Sequence, residues 1–305
     1  MSLVASALVP LTLLIALGFA LKRARFLPDS FWPGLDRLNY WVFFPSLIFV
    51  ALATTERGLA GAGPVGIAVW GGLAAVAGIA LALRRQVADG GPAFTSVFQG
   101  SIRFNSYVAF LVVPVLYPGS DGLTALMVAL TVPFVNVLSV SVLARYGAGS
   151  SLRWRTLLGR IATNPLILAS VLGVVAGRLG LPLGPLESSL RMLGQAALAA
   201  GLLSVGATLR FRNVRAGWRE VAGSMALKFA ILPAASAAIG AALGLAPAVL
   251  GPLVLFQAMP TASASYVLAR AMRGDEQLMA AILAVHTLAA LAWLPLTFAL
   301  LRATL

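Results

Sequence analysis

The 305 residues of the chain are 60% hydrophobic and only 10% charged. A soluble domain carries about 25% charged residues, so this composition excludes an ordinary soluble enzyme and indicates a membrane protein that crosses the bilayer several times. The absence of cysteine and the single histidine exclude disulfides, thiolate metal sites and histidine clusters, and we predict no metal, cofactor or catalytic residue. The net charge of +13 does not indicate a nucleic-acid partner, because most of the arginine lies in short connectors.

Ten apolar segments reach the roughly 20 residues that cross a bilayer, and they predict an all-α polytopic membrane protein. In chain order the ten predicted spans are residues 3–21, 35–54, 64–83, 95–117, 123–144, 161–179, 186–209, 221–243, 247–271 and 277–301. We predict that the first span is not a cleaved signal peptide, because its positive cluster follows the apolar run instead of preceding it.

The basic residues predict the orientation of these spans. Connectors after spans 1, 3, 5, 7 and 9 carry most of the lysine and arginine, whereas the other connectors carry only Arg57, Arg178 and, at a span end, Arg191. Positive connectors stay in the cytoplasm. We therefore predict a multi-pass protein of the inner (plasma) membrane with both termini outside.

The ten spans divide into two groups of five. Residues 1–146 hold the first group, a basic cytoplasmic connector occupies 147–160, and residues 161–305 hold the second group. An odd number of spans makes the second group enter from the opposite side, so the two groups form an inverted repeat. The repeat is visible in position and hydropathy rather than identity: Pro10 corresponds to Pro165, and span 4 corresponds to span 9.

Spans 4 and 9 are interrupted near their middles. Proline removes an N–H and clashes with the preceding turn, and broken backbone in hydrocarbon is tolerated only beside protein or a water-filled cavity. Paired interruptions in the two halves of a membrane protein point to a transporter's substrate site. The predicted substrate-binding residues are Arg103, Asn105 and Ser106 in span 4 and Pro260, Thr261 and Ser263 in span 9.

Two further polar residues, Lys228 and His286, fall near the middle of their spans. At about 1.5 Å per residue they lie roughly 13 Å into the membrane, level with Arg103. All nine acidic residues fall in connectors or at span ends, so the predicted core is cationic and suits an anion. Half-helices beginning after Asn105 and Pro260 would add positive N-terminal dipoles, with Asn105 as an N-cap.

Structural alternatives stay open for these residues. Arg103 could neutralise helix C-terminal dipoles, Lys228 could fix the crossing, and His286 could be a hydrogen-bonded interior histidine or a proton carrier. We predict that Asn39 and Asn164 bond helix to helix and that four glycines allow close packing of helices. Those glycines are Gly71, Gly72, Gly201 and Gly206.

Five motifs resemble bacterial members of the auxin efflux carrier family. They are NYWVFFPSLIF (39–49), RFNSYVAFLVVP (103–114), ATNPLILASVLG (162–173), LKFAILP (227–233) and QAMPTASASYVLA (257–269). The resemblance implies two inverted five-helix repeats. Spans 1, 2, 6 and 7 would form a scaffold, and spans 3–5 and 8–10 a mobile transport domain in which broken helices 4 and 9 cross. A homodimer formed through the scaffold helices is compatible with this arrangement.

The resemblance also implies secondary transport of a small organic anion, either an auxin-like indole acid or a dicarboxylate, by an elevator motion. Asn105 and Pro260 fall on the crossing positions of the family. Phe104 stands where plant members carry proline, and span 3 holds no acidic residue. The alternatives are a ligand-binding sensor, which would add a signalling domain, and an anion channel. The missing midplane carboxylate favours sodium-independent transport, either uniport or proton-linked.

Overall fold

A computed structural model describes residues 3–54, 62–147, 159, 163–209 and 217–304 of the chain. Within these ranges the regular structure is helical, without a β-strand, which confirms the predicted all-α membrane class. The helices are α1 (Leu3–Arg23), α2 (Phe31–Ala53), α3 (Ala62–Ala82), α4 (Arg84–Val87), α5 (Gly91–Ile102), α6 (Ser106–Leu116), α7 (Asp121–Tyr146), α8 (Pro165–Arg178), α9 (Pro185–Thr208), α10 (Trp218–Ala242), α11 (Pro247–Gln257), α12 (Ala264–Ala271) and α13 (Glu276–Thr304).

Seven of the described helices are long and apolar enough to cross a membrane, with lengths between 21 and 29 residues. They are α1, α2, α3, α7, α9, α10 and α13. Predicted spans 4 and 9 are each divided into two shorter helices. Helix α8 has only 14 residues, so it is shorter than the predicted span 161–179, of which residues 161–162 lie outside the described part. Most of the predicted connector 147–160 and Arg57 also lie outside it.

Contacts between helices divide the described chain into two compact units. The first unit contains α1, α2, α8 and α9 together with Tyr107–Ala129. The second contains nearly all of α3, the helices α4, α5 and α10–α13, and residues 130–147. All eight residues predicted from the sequence to form the site belong to the second unit.

Close helix packing in the first unit depends on glycine. A Cβ on Gly18 of α1 would overlap the Leu203 carbonyl of α9, and a Cβ on Gly206 of α9 would overlap the Ile15 carbonyl of α1. Gly201 likewise faces the ring of Tyr107. In the second unit a Cβ on Gly71 would overlap the Ile239 side chain, and a Cβ on Gly72 would overlap the Ser236 side chain. The predicted packing role of the four glycines is confirmed.

The two predicted interhelical asparagines behave differently. The Asn39 amide of α2 donates to the Ala197 carbonyl of α9 over 3.2 Å, as expected. The expectation for Asn164 is wrong, because its side-chain oxygen accepts from the Leu166 N–H at 2.9 Å and so caps the start of α8. Pro165 at the first helical position favours this capped start.

Replacing Gly206 with alanine is expected to lower the free energy of unfolding by about 1–3 kcal/mol, because the new methyl group overlaps backbone that cannot turn away. The matched control is Gly78→Ala in α3, where nothing lies within 4 Å of the added Cβ. The measurement is the apparent melting temperature of both purified variants in detergent. Equal effects of the two substitutions would contradict the packing role of Gly206.

Helices α2 and α10 each contain a π-helical turn just before a proline. These turns are Asn39–Phe43, ahead of Pro45, and Ala226–Ile231, ahead of Pro233. Proline has no N–H for the carbonyl four residues earlier, which for Pro233 is the Phe229 carbonyl. That carbonyl accepts instead from the indole N–H of Trp293 in α13, over 2.8 Å. The wider turn therefore places Lys228 in a segment whose backbone is bonded to a neighbouring helix.

Candidate functional site

The break in span 4 lies at residues 103–105, between α5 and α6, as predicted. Arg103 has extended backbone (φ −78°, ψ 153°), and its N–H bonds back to the Gln99 carbonyl. Arg103, Phe104 and Asn105 are all buried. Buried non-helical backbone in a membrane helix needs partners from the rest of the protein.

The break in span 9 lies between α11 and α12, and it is longer than the break in span 4. Helix α11 ends at Gln257 and α12 begins at Ala264, with the predicted Pro260 between them. Residues 258–261 are all buried. The residue before a proline is disfavoured in the helical region, so Pro260 accounts for the end of α11.

The two breaks bond directly to each other. The Asn105 N–H donates to the Pro260 carbonyl over 2.7 Å, and the Thr261 hydroxyl donates to the Gly100 carbonyl over 2.8 Å. The rings of Phe104 and Phe256 pack with their centroids 4.8 Å apart. Backbone groups that the interruptions free in one span are therefore satisfied by the other.

His286 of α13 joins this crossing through both ring nitrogens. Its Nδ1 lies 2.9 Å from the Thr261 hydroxyl oxygen, and its Nε2 lies 3.3 Å from the Ser224 hydroxyl oxygen of α10. Thr261 has a single hydroxyl hydrogen, which goes to Gly100, so Nδ1–H must donate to Thr261. Nε2 bonds to the Ser224 hydroxyl, so both ring nitrogens have a hydrogen-bond partner.

Arg103 extends from the break towards α7. One of its terminal nitrogens donates to the Asn136 side-chain oxygen over 3.1 Å. Its Nε is buried without a hydrogen-bond partner among the described residues. The guanidinium is therefore held at one end and retains a donor for another group.

Lys228 is the most enclosed charged side chain of the site. Its exposed fraction is 0%, and its Nζ has no hydrogen-bond partner in the described part of the chain. Its neighbours in α10, Ser224 and Phe229, both contact the ring of His286. The structure therefore brings the Lys228 segment to the same cluster as His286 and Thr261.

The remaining predicted residues, Ser106 and Ser263, are half-buried and flank the breaks. Ser263 occupies the position before α12 but does not cap that helix with its side chain. The structure thus gathers Asn105, Pro260, Thr261 and His286 by direct bonds and leaves the two serines at the edges.

The sequence analysis missed Gln99, one turn before the break in α5. Its side chain is 0% exposed, and both its amide nitrogen and its amide oxygen lack a partner among the described residues. A signal was present in the sequence: Phe98-Gln99 and Phe256-Gln257 are identical pairs near the ends of α5 and α11. The two interrupted spans therefore share a short identity. Gln257 differs in its contacts, because its amide donates to the Val69 carbonyl and the Ser236 hydroxyl.

The buried charge of the described residues is positive. No aspartate or glutamate is among the buried side chains of the described ranges, whereas Arg103 and Lys228 are. The same ranges contain no group of three metal-ligating side chains. An uncompensated cation in an apolar interior is costly, so this arrangement suits a negatively charged ligand.

A surface groove of about 550 Å³ lies elsewhere, on α2. Gly34, Arg37, Leu38, Trp41 and Val42 line it, and none of them is a predicted site residue. Trp41, Leu38 and Val42 are exposed apolar side chains of a membrane helix, as expected for contact with lipid.

Comparison with known proteins agrees with a transport role. Residues 151–298 match a family described as "Membrane transport protein". Across 288 residues, covering 93% of each chain, the sequence is 27% identical to a protein of Methanothermobacter thermautotrophicus (strain Delta H) described as an uncharacterized transporter.

Proposed function

We propose that the chain is a membrane transporter of the auxin efflux carrier family and that it moves a small organic anion across the membrane by alternating access. The anion would be an auxin-like indole acid or a dicarboxylate. The site would lie at the crossing of the two interrupted spans, with the lipid bilayer around it and no nucleic-acid partner, metal or cofactor.

The observation that carries this proposal is the Asn105–Pro260 hydrogen bond in a unit whose buried charges are positive. Two helices, α6 and α12, begin beside the bonded breaks, and helix N-termini favour anions. In this proposal Arg103, Asn105 and Ser106 bind the anion from one side and Pro260, Thr261 and Ser263 border it from the other. Lys228 and His286 support the crossing.

The architecture that we propose has ten spans in two inverted repeats. The seven long helices, α8 and the two divided spans supply that number. Spans 3–5 and 8–10 would move as a transport domain against a scaffold of spans 1, 2, 6 and 7, in an elevator motion. The scaffold helices would also form any homodimer. We propose no enzymatic activity.

An anion channel and a ligand-binding sensor are the alternatives, and counterflow in proteoliposomes distinguishes the three functions. A carrier accelerates uptake of labelled anion when the vesicles are preloaded with unlabelled anion, and the uptake saturates. A channel shows flux without this exchange, and a sensor shows no flux. Paired interruptions favour the carrier.

The topology gives a separate prediction. The basic connectors after odd-numbered spans predict an inner-membrane protein with both termini outside the cytoplasm. A reporter that is active only in the cytoplasm, fused after Leu305, is therefore expected to be inactive, and a reporter that is active only outside is expected to work. The opposite pair of results would contradict the orientation.

We also expect transport to be independent of sodium. Sodium sites use oxygen ligands, and carboxylates are the strongest of them, yet no aspartate or glutamate in the described ranges is a buried residue. The nearby cations would repel sodium further. The measurement is uptake into proteoliposomes under a sodium gradient at fixed pH and clamped voltage, with potassium as the control. Stimulation by sodium alone would contradict this expectation.

A further inference from the structure

Two buried polar side chains near the crossing have no partner in the described structure. They are Lys228, whose ammonium lies in the π-helical turn of α10, and Gln99, whose whole side-chain amide is unbonded in α5. Leaving such groups unpaired in an apolar interior costs free energy. The same unit also leaves the hydroxyls of Thr131, Ser139 and Ser265 unbonded, but a charged ammonium and a complete side-chain amide cost more than a hydroxyl, so Lys228 and Gln99 point to a ligand that completes their bonding.

The contact between α5 and α10 places Gln99 and Lys228 at similar positions along the two helices. The π-helical turn packs against α5, and Gly100, which follows Gln99, faces the Ser224 hydroxyl so closely that a Cβ could not fit. Ser224 lies one turn before Lys228, and a helical side chain leans back towards the preceding turn. The Lys228 segment and Gln99 therefore lie beside the same contact between α5 and α10.

The chemistry of the unpaired atoms selects the ligand. Lys228 brings three N–H donors and a charge, Gln99 brings two donors and one acceptor, and Arg103 adds its free Nε–H. Together the three side chains offer more hydrogen-bond donors than acceptors, and two of them, Lys228 and Arg103, are cationic. A carboxylate is a fitting complement because it brings two oxygens with about four acceptor positions and the missing negative charge.

We propose that Lys228 and Gln99 form a carboxylate-binding subsite inside the second unit, in which the ammonium neutralises the anion and the Gln99 amide donates to it. This inference rests on the proposed organic-anion function and gives Lys228 direct contact with the anion in addition to its support of the crossing. Gln257, which has the same Phe-Gln context but two hydrogen bonds of its own, is structural.

The test compares Lys228→Met, Gln99→Leu and the matched control Gln257→Leu in the full-length protein. Without ligand, Lys228→Met and Gln99→Leu are expected to raise the apparent melting temperature, because each replaces an unpaired polar group with an apolar one. Gln257→Leu is expected to lower it, because two hydrogen bonds are lost. A lower melting temperature for both Lys228→Met and Gln99→Leu would overturn the claim that these groups are unpaired.

The second measurement is binding of malonate, succinate and indole-3-acetate, monitored by the ligand-induced thermal shift. Potassium chloride at equal ionic strength is the control. For an anion that binds the wild type, the Kd is expected to rise at least about a hundredfold in Lys228→Met and about tenfold in Gln99→Leu. In Gln257→Leu it is expected to change less than about threefold.

The outcomes separate this inference from the proposed function. A wild-type shift that persists unchanged in Lys228→Met overturns the subsite and leaves the organic-anion function standing. A shift by chloride equal to that by the carboxylates overturns carboxylate as the ligand class. No shift of the wild type by any of the three carboxylates overturns both the subsite and the proposed substrates.

Discussion

Replacing Asn105 with alanine is expected to abolish transport, by at least about a hundredfold, while the protein stays folded in the membrane. The bond that joins the two breaks uses the Asn105 backbone N–H, which alanine retains. The substitution therefore removes only the amide side chain at the crossing. Pro260→Ala is expected to have a comparable effect for another reason: alanine restores an N–H and allows α11 to continue through the break.

The measurement is uptake by purified variants whose folding is first checked by their melting temperature. Asn164→Ala is the matched control, because Asn164 caps α8 and belongs to the first unit. That variant is expected to lose about 1 kcal/mol of stability and to keep its transport rate. Normal uptake by Asn105→Ala and Pro260→Ala would remove the crossing from the mechanism.

Replacing Thr261 with valine is expected to lower the free energy of unfolding by about 2–5 kcal/mol, the largest expected effect on stability. Valine has nearly the same shape, but it removes the hydroxyl that bridges the Gly100 carbonyl and His286 Nδ1. Both groups are then left buried without this partner. The expected result is a large fall in apparent melting temperature, with weaker packing between α5, α13 and the break.

Thr287→Val, in the same helix as His286, is the matched control. The Thr287 hydroxyl donates to the Leu283 carbonyl in its own helix, which also accepts a backbone bond. Loss of the Thr287 hydroxyl is therefore expected to lower the free energy of unfolding by less than about 1 kcal/mol. If Thr261→Val and Thr287→Val have the same apparent melting temperature, the Thr261 hydroxyl does not stabilise the crossing.

The sequence predicted the positions of both helix breaks because the responsible residues act locally. Pro260 weakens the helix through its own backbone and is followed at once by Thr261, and Arg103 and Asn105 are conspicuous in an apolar segment. The extent of the second break was not predictable in the same way. Residues 258–263 leave the helix because the other span supplies bonds to Pro260 and Thr261, and those bonds join residues more than 150 positions apart.

The contacts of the polar side chains could also not be predicted from the sequence. The partners of His286 became known only from the structure, which places the Thr261 and Ser224 hydroxyls at its two nitrogens. The partner of the Phe229 carbonyl in the π-helical turn, the Trp293 indole N–H, lies 64 residues away in the sequence. Gln99 was missed because a glutamine in an apolar helix usually bonds to its neighbours, and only the structure distinguishes it from Gln257.

The central claim is that this protein exchanges an organic anion at the crossing of its two broken spans, and counterflow tests it most directly. Proteoliposomes holding the wild type or Asn105→Ala are preloaded with unlabelled malonate, succinate or indole-3-acetate and diluted into a trace of the labelled anion. We predict a transient, saturable overshoot of label in the wild type with at least one anion and none in Asn105→Ala. Equal overshoot in both proteins, or label that enters the wild type without saturation or dependence on preloading, would contradict the account.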